Sequence, residues 1–281
     1  LNIKLNGGGI KMIMANFLKS RKSVRDFKKK KIDPNTLEEL TLNLKEFENE
    51  EGSGNIKFRL YENGDLLYGG LKGLGGYSGV MIESPHYILL ELKNDDDKTI
   101  IYSAYYAEKL ITKLNEMGIS TCWVSILGVD ENKKKEILGD DIVIVNHLLA
   151  IGYEKPKNPF VQDPFSERIG VEDLVFEKGL DRLVDMEDLE TRGLGDLFFY
   201  ARFAPSTKNL QPWRFVLDGP IVKLLIAYKD TERPLFEDAG IIMYYFEALA
   251  NTQGIKNKWK LIDGNIKKAG LNYKYIGEYH L

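Results

Sequence analysis

Residues 204–215 read Ala204-Pro205-Ser206-Thr207-Lys208-Asn209-Leu210-Gln211-Pro212-Trp213-Arg214-Phe215, a polar loop that runs directly into an apolar strand. Pro205 stiffens the backbone, Ser206 and Thr207 offer hydroxyls, and the amides of Asn209 and Gln211 each carry donors and an acceptor. Mixed donors and acceptors at fixed spacing suit the edge of a flat heterocycle with alternating carbonyls and ring nitrogens, whereas a lone anion asks mainly for donors. Ordinary turn chemistry is the competing reading, because Ser, Asn and Pro fill turns of every kind.

A second polar stretch, Arg21-Lys22-Ser23-Val24-Arg25 followed by Asp26-Phe27, lies near the other end of the chain. Together the two resemble the nitroreductase family: residues 204–215 look like its Ala-Pro-Ser-x-x-Asn-x-Gln-Pro-Trp segment, and residues 21–25 like its Arg-x-Ser-x-Arg/Lys segment. The resemblance implies an α+β nitroreductase-like fold and an FMN cofactor, which ordinary members hold at the interface of a homodimer. In those members the two motifs sit close together in a short chain; here one opens the sequence and the other falls in its last third. That order resembles the tandem branch of the family, in which two half-similar copies are fused and one chain imitates the dimer.

Between the two motifs the pattern alternates helices and strands. Asp33-Pro34 predicts an N-cap and first turn for a helix to about Glu46, with Leu37, Leu40 and Leu44 on one face. Ile56–Tyr61 alternates as a strand turning at Asn63-Gly64, and His86–Leu92 is an apolar strand behind Pro85. Gly69–Gly79 holds six glycines, so it is either a mobile loop or a place where backbone must approach something closely. Thr99–Met117 is apolar on several sides, predicting a central buried helix stopped at Gly118. A short charged helix over Asp130–Leu138 and a strand over Ile142–Ile151 follow, and then a proline-bearing linker, Glu154–Phe165.

Beyond the linker the sequence echoes itself. Gly118-Ile119-Ser120-Thr121-Cys122-Trp123 closes the first long helix, and Gly254-Ile255-Lys256-Asn257-Lys258-Trp259 follows a second apolar helix, about Asp238–Gln253. Phe58-Arg59-Leu60 before Asn63-Gly64 is likewise matched by Arg214-Phe215-Val216-Leu217 before Asp218-Gly219. The expected organisation is a first half over 17–175, a second over 176–281, and a flexible tail or upstream extension over 1–16. Each half carries one part of the site: where the second has residues 204–211, the first has only Phe47–Asn55, and where the first has residues 21–25, the second has only Leu180–Leu183. One FMN per chain and a monomer imitating the family dimer follow from that reading.

Carried onto this sequence, the resemblance implies that Arg21, Lys22 and Ser23 meet the phosphate and ribityl chain. Arg25 stands near the pyrimidine edge of the ring, where a cation favours the reduced flavin. Pro205, Ser206 and Asn209 reach the ring from the second half, the backbone of Ser125 and Ile126 approaches the hydride-exchanging nitrogen, and Arg168 is a late basic residue at the phosphate. Family members often place Asn and Lys where this chain has Gly76, Tyr77 and Val80, so contacts there are expected from backbone or aromatic groups. No side chain is expected as the catalyst: FMN takes hydride from NAD(P)H and passes electrons to a nitroaromatic, quinone or similar flat acceptor, with ping-pong kinetics. The alternative is a flavin-binding relative without turnover.

Composition agrees with a globular protein of ordinary character, 43% hydrophobic and 29% charged with a net charge of -3, which offers no general attraction for nucleic acid or membrane. The single cysteine, Cys122, excludes an internal disulfide; beside Trp123 it reads as core rather than as a redox thiol. His86, His147 and His280 have no metal-ligand spacing, and the basic run Lys28–Lys31 stands alone, so neither a metal nor a nucleic acid is expected. No signal-peptide pattern and no apolar run of membrane length is present, and a cytoplasmic protein is the expectation.

Overall fold

The computed structural model describes residues 14–77, 79–141, 143–156 and 166–281. Residues 1–13 of the expected tail and Pro159 and Pro164 of the expected linker lie outside them. Residues 14–16, also assigned to the tail, instead open α1 (Met14–Ser20). The described chain packs into two compact units, one of residues 22–156 and one of residues 14–21 with 166–281.

In residues 22–156 the order is α2 (Pro34–Phe47), β1 (Ile56–Tyr61), α3 (Gly64–Leu71), β2 (His86–Leu92), α4 (Asp97–Glu116), β3 (Ser120–Ser125), α5 (Glu131–Leu138) and β4 (Ile144–Gly152). The start of α2 follows its sequence signal: Pro34 fills the first position and Thr36 N–H donates to Asp33 Oδ1 at 3.0 Å. The strands form an antiparallel sheet ordered β1-β2-β4-β3. Every residue of β2 is buried, so the sheet is covered on both faces. On one face Tyr87, Leu89, Cys122, Val124, Leu148 and Ala150 pack with Leu67 and Leu71 of α3, Leu138 of α5, and Val24 and Phe27. α4 has Ala104, Ala107, Leu110 and Leu114 fully buried and ends at Gly118, whose φ of +75° provides the left-handed stop.

The expected turn at Asn63-Gly64 is instead the start of α3. Asn63 Oδ1 accepts from Leu66 N–H at 3.2 Å as the cap. Gly64 is required because a Cβ there would overlap the carbonyl oxygens of Ser84 and Pro85. A dipeptide common in hairpins here serves a cap and a close backbone crossing, two roles that only the tertiary fold distinguishes.

Residues 166–281 continue with β5 (Val175–Glu177), α6 (Met186–Thr191), α7 (Gly195–Ala201), β6 (Trp213–Asp218), β7 (Ile221–Tyr228), α8 (Phe236–Thr252), β8 (Lys260–Leu261), β9 (Asn265–Lys268) and β10 (Leu271–His280). The sheet order is β5-β6-β7-β10-β8, with β9 on β10; β5 runs parallel to β6 and the other pairs are antiparallel. Asp218-Gly219, the counterpart of Asn63-Gly64, does make a hairpin turn, with Asp218 opposite Ile221 and Gly219 at φ +59°. α8 is buried on all sides, and its Phe246 lies 5.4 Å from Phe215, 5.1 Å from Trp259 and 5.3 Å from Tyr279 between ring centres. Such aromatic pairs each add roughly 0.5–1.5 kcal/mol beyond their buried area.

α1 packs on α7 and α8 of this unit, with the Phe17 and Tyr245 rings 6.2 Å apart. Residues 166–177 also belong to it through β5. The compact units of the described residues therefore divide at 21/22 and between 156 and 166, while the halves expected from sequence divide at 175/176. Taken one at a time, β1-β2-β4-β3 and β6-β7-β10-β8 have the same strand order, each with a long buried helix between its second and third strands.

Candidate functional site

The loop of residues 204–212 is built on backbone conformations that L-residues seldom adopt. Lys208, Asn209 and Gln211 have φ of +49°, +59° and +48°, each costing about 1–2 kcal/mol in a non-glycine residue. Compensation comes from the loop's own side chains and from α8. Ser206 Oγ accepts from Gln211 N–H at 3.0 Å, and the Thr207 N–H and hydroxyl donate to the fully buried Asp238 carboxylate at 2.9 and 3.1 Å.

The twisted backbone turns both amide side chains onto one neighbouring segment. Asn209 Nδ2 donates to Glu167 O at 2.8 Å, and Arg168 Nη1 donates to Asn209 Oδ1 at 3.1 Å and to Ala204 O at 2.9 Å. Ile169 N–H donates to Gln211 Oε1 at 2.9 Å, while Gln211 Nε2 donates to Glu167 O and Asn209 O at 3.3 and 3.1 Å. The amides read in the sequence as ligand-facing groups are thus engaged with residues 167–169.

Arg168 is half-buried and sits among cations. Burial foremost, and then the charges of Arg21 and Arg202, push its guanidinium below the usual arginine range. Three guanidiniums are thereby gathered in one unit, since α1 delivers Arg21, residues 166–170 deliver Arg168, and the end of α7 delivers Arg202. Arg202 is fixed over the rings of Phe199 and Phe203, at 4.4 and 5.1 Å, and donates to Phe199 O at 3.2 Å. Concentrated positive charge with planar donor forks suits a phosphate or carboxylate. Arg21 and Arg168 were expected from sequence. Arg202 was not, because nothing in its own neighbourhood sets it apart from a surface arginine at a helix end.

Residues 22–156 hold the other sequence-predicted positions. Lys22–Phe27 forms neither helix nor strand and is anchored by Val24 N–H to Thr121 O at 2.9 Å and Lys28 N–H to Tyr153 O at 2.8 Å, with Val24 and Phe27 buried. Ser23 is half-buried and Arg25 exposed. Lys22 is paired with Glu154 at 2.8 Å, so a role for it at a phosphate competes with this ion pair. Of the basic run, Lys29 lies 3.7 Å from Glu83 and Lys30 lies over the Tyr153 ring at 5.2 Å.

Gly76, Tyr77, Ser125 and Ile126 are brought together. Gly76 N–H donates to Ser125 O at 2.8 Å, and a Cβ on Gly76 would overlap the Val80 carbonyl oxygen. Of the two readings of the glycine-rich segment, close backbone approach applies at this point. Ile126 N–H is engaged by Asn146 O at 2.8 Å and its side chain is buried. Tyr77, bridged to Val80, exposes 74% of its surface and Leu127 exposes 47%, leaving an apolar rim beside these backbone groups.

Cys122 is buried in the core, as expected. His86 is buried and accepts from Ile32 N–H on Nε2 at 3.1 Å; burial lowers its pKa. Among the described residues no cluster of His, Cys, Asp and Glu could hold a metal ion, and no helix is long and apolar enough to cross a membrane.

Compared with solved structures, the chain is similar to a nitroreductase-like protein of Thermotoga maritima, with 18% identity, a TM-score of 0.57 and 98% of each chain covered. That likeness concerns the fold. A nitroreductase with bound FMN from Bacteroides fragilis aligns at 17% identity and a TM-score of 0.45 over 61% of this chain and 98% of its own. An FMN-dependent nitroreductase from Clostridium difficile aligns at 19% and 0.42 over 52% of this chain and 91% of its own. No curated protein matches the chain. Residues 14–250 match the family described as "Putative TM nitroreductase", and with a match of that extent the chain belongs to this nitroreductase family.

Proposed function

We propose that this chain is an FMN-dependent oxidoreductase that passes hydride from NAD(P)H to nitroaromatics, quinones or similar flat acceptors by ping-pong turnover, with one FMN per chain. The observation that carries this reading is the gathering of Arg21 and Arg202 around the half-buried Arg168. These residues fit an FMN phosphate: a dianion offset by three guanidiniums relieves their mutual repulsion and gives each planar fork an acceptor. When bound, FMN supplies the hydride chemistry itself.

The chain's residues then bind and orient. Arg21 and Arg168 hold the phosphate, with Arg202 beside them. The Ser23 hydroxyl serves the ribityl chain, and Arg25 offers a cation to the pyrimidine edge of the ring. Lys22 contributes to the phosphate only by leaving Glu154. Backbone at Gly76, Tyr77, Ser125 and Ile126 offers ring contacts within residues 22–156, and Pro205 and Ser206 offer theirs within residues 166–281. The Tyr77 and Leu127 rim supplies apolar surface for a flat acceptor. The shared strand order of the two sheets supports reading the halves as a repeat, so that a monomer supplies both parts of the site. The buried reduced thiol of Cys122 suits a cytoplasmic setting.

Visible absorbance of the purified protein, followed by anaerobic addition of NADH or NADPH, tests the proposal. A yellow protein that either nucleotide bleaches, and that an acceptor then re-oxidises, is the expected result. A yellow protein that neither bleaches is a flavin-binding protein only, and a colourless one that stays so after FMN is added overturns the flavin reading altogether.

A further inference from the structure

We propose that Asn209 and Gln211 are positioning residues whose amides clamp residues 167–169 and thereby aim the Arg168 guanidinium at the phosphate of the flavin. The inference rests on the FMN reading and assigns Asn209 a place different from the ring contact that the family resemblance implies.

The clamp is defined by its bonds. The two side-chain amides account for three backbone or guanidinium groups of the segment: Glu167 O, Ile169 N–H and Arg168 Nη1. Arg202 adds a longer bond to Ile169 O, at 3.5 Å. Gln211 is only 8% exposed, and both ends of its amide are engaged within this unit. Arg168 Nη1 is held by Ala204 O as well as by Asn209 Oδ1, and because the guanidinium is planar, fixing one amine fixes the plane of the whole fork and the direction of its remaining donors. Left-handed φ values at Lys208, Asn209 and Gln211 show what this aim requires, since strain of that kind persists only where surrounding bonds over-determine the backbone. A neutral amide is also the suitable partner for Arg168. It holds the guanidinium without cancelling its charge, whereas a carboxylate in its place would compete with the phosphate.

Riboflavin, which has the same rings and no phosphate, separates this clamp from a ring contact. FMN and riboflavin are titrated by fluorescence quenching into apoprotein of the wild type, Asn209→Ala, Asn209→Asp, Arg168→Ala and the Arg168→Ala/Asn209→Ala double variant. Asn209→Ala is expected to weaken FMN about tenfold while riboflavin stays within about twofold. Asn209→Asp, nearly isosteric, is expected to weaken FMN further and to flatten the salt dependence of binding. In the Arg168→Ala background Asn209→Ala is expected to add nothing, the non-additivity of two residues acting through one contact. Equal losses for FMN and riboflavin, or additive effects in the double variant, overturn the clamp while leaving the FMN reading in place. A wild type that binds neither flavin removes both.

Discussion

Replacing Gly76 by alanine, with Gly73 as the matched control, isolates a close backbone approach from simple backbone strain. Both glycines have φ of +81°. Nothing lies within 4 Å of a Cβ on Gly73, whereas a Cβ on Gly76 overlaps the Val80 carbonyl oxygen. Either alanine accepts left-handed strain of about 1–2 kcal/mol and recovers about 0.4–1 kcal/mol from the stiffer unfolded chain, so Gly73→Ala should lose about 0.5–1 kcal/mol. Gly76→Ala adds an overlap with backbone that no rotamer change relieves, about 1–3 kcal/mol, and disturbs the bond from Gly76 N–H to Ser125 O, about 1 kcal/mol more. The expected total is about 2.5–5 kcal/mol, read from urea unfolding at unchanged m-value. If the flavin ring rests on the backbone at 76–77, Gly76→Ala also lowers FMN affinity and Gly73→Ala does not. Equal stability losses for the two variants would refute the packing argument, and equal FMN affinities would refute the placement of the ring.

Arg21→Ala should weaken FMN by about 1.5–3 kcal/mol, roughly ten- to 150-fold in Kd, as measured by flavin titration, with an unchanged Kd counting against a phosphate contact. Asn63→Ala removes the cap of α3 and should lower stability by about 1 kcal/mol in urea unfolding, while Asn63→Ser or Asn63→Asp, which can still cap, should largely retain it. The pKa of His86 is lowered by burial, foremost, and by the charge of Lys31, against an opposing effect of Glu62, so the unfolded chain binds its proton more readily. Stability should therefore be fully present above about pH 6.5 and fall as the pH drops from there toward the folded-state pKa; His86→Gln should flatten that part of the unfolding profile.

Much of the local architecture was legible because it is encoded within a turn or two of chain. The Asp33-Pro34 cap, the apolar face of α2, the glycine stop at Gly118, the alternation of β1 and the buried α8 all depend on neighbours a few residues away. The two motifs likewise suggested the family, and residues 14–250 match it. Asn63-Gly64 failed as a turn signal because its glycine answers to Ser84 and Pro85, which sequence does not place beside it.

The candidate site was legible only in its residue types. That Arg21 shares a compact unit with Arg168 rather than with Ser23 depends on where α1 packs. Arg202 enters because α7 ends there, and the amides of Asn209 and Gln211 turn to residues 167–169 because three left-handed residues redirect them. Hydrogen-bond capacity belongs to the side chain and can be read from its name. The partner that uses that capacity is decided by long-range packing, which alone brings distant segments within three ångströms of one another.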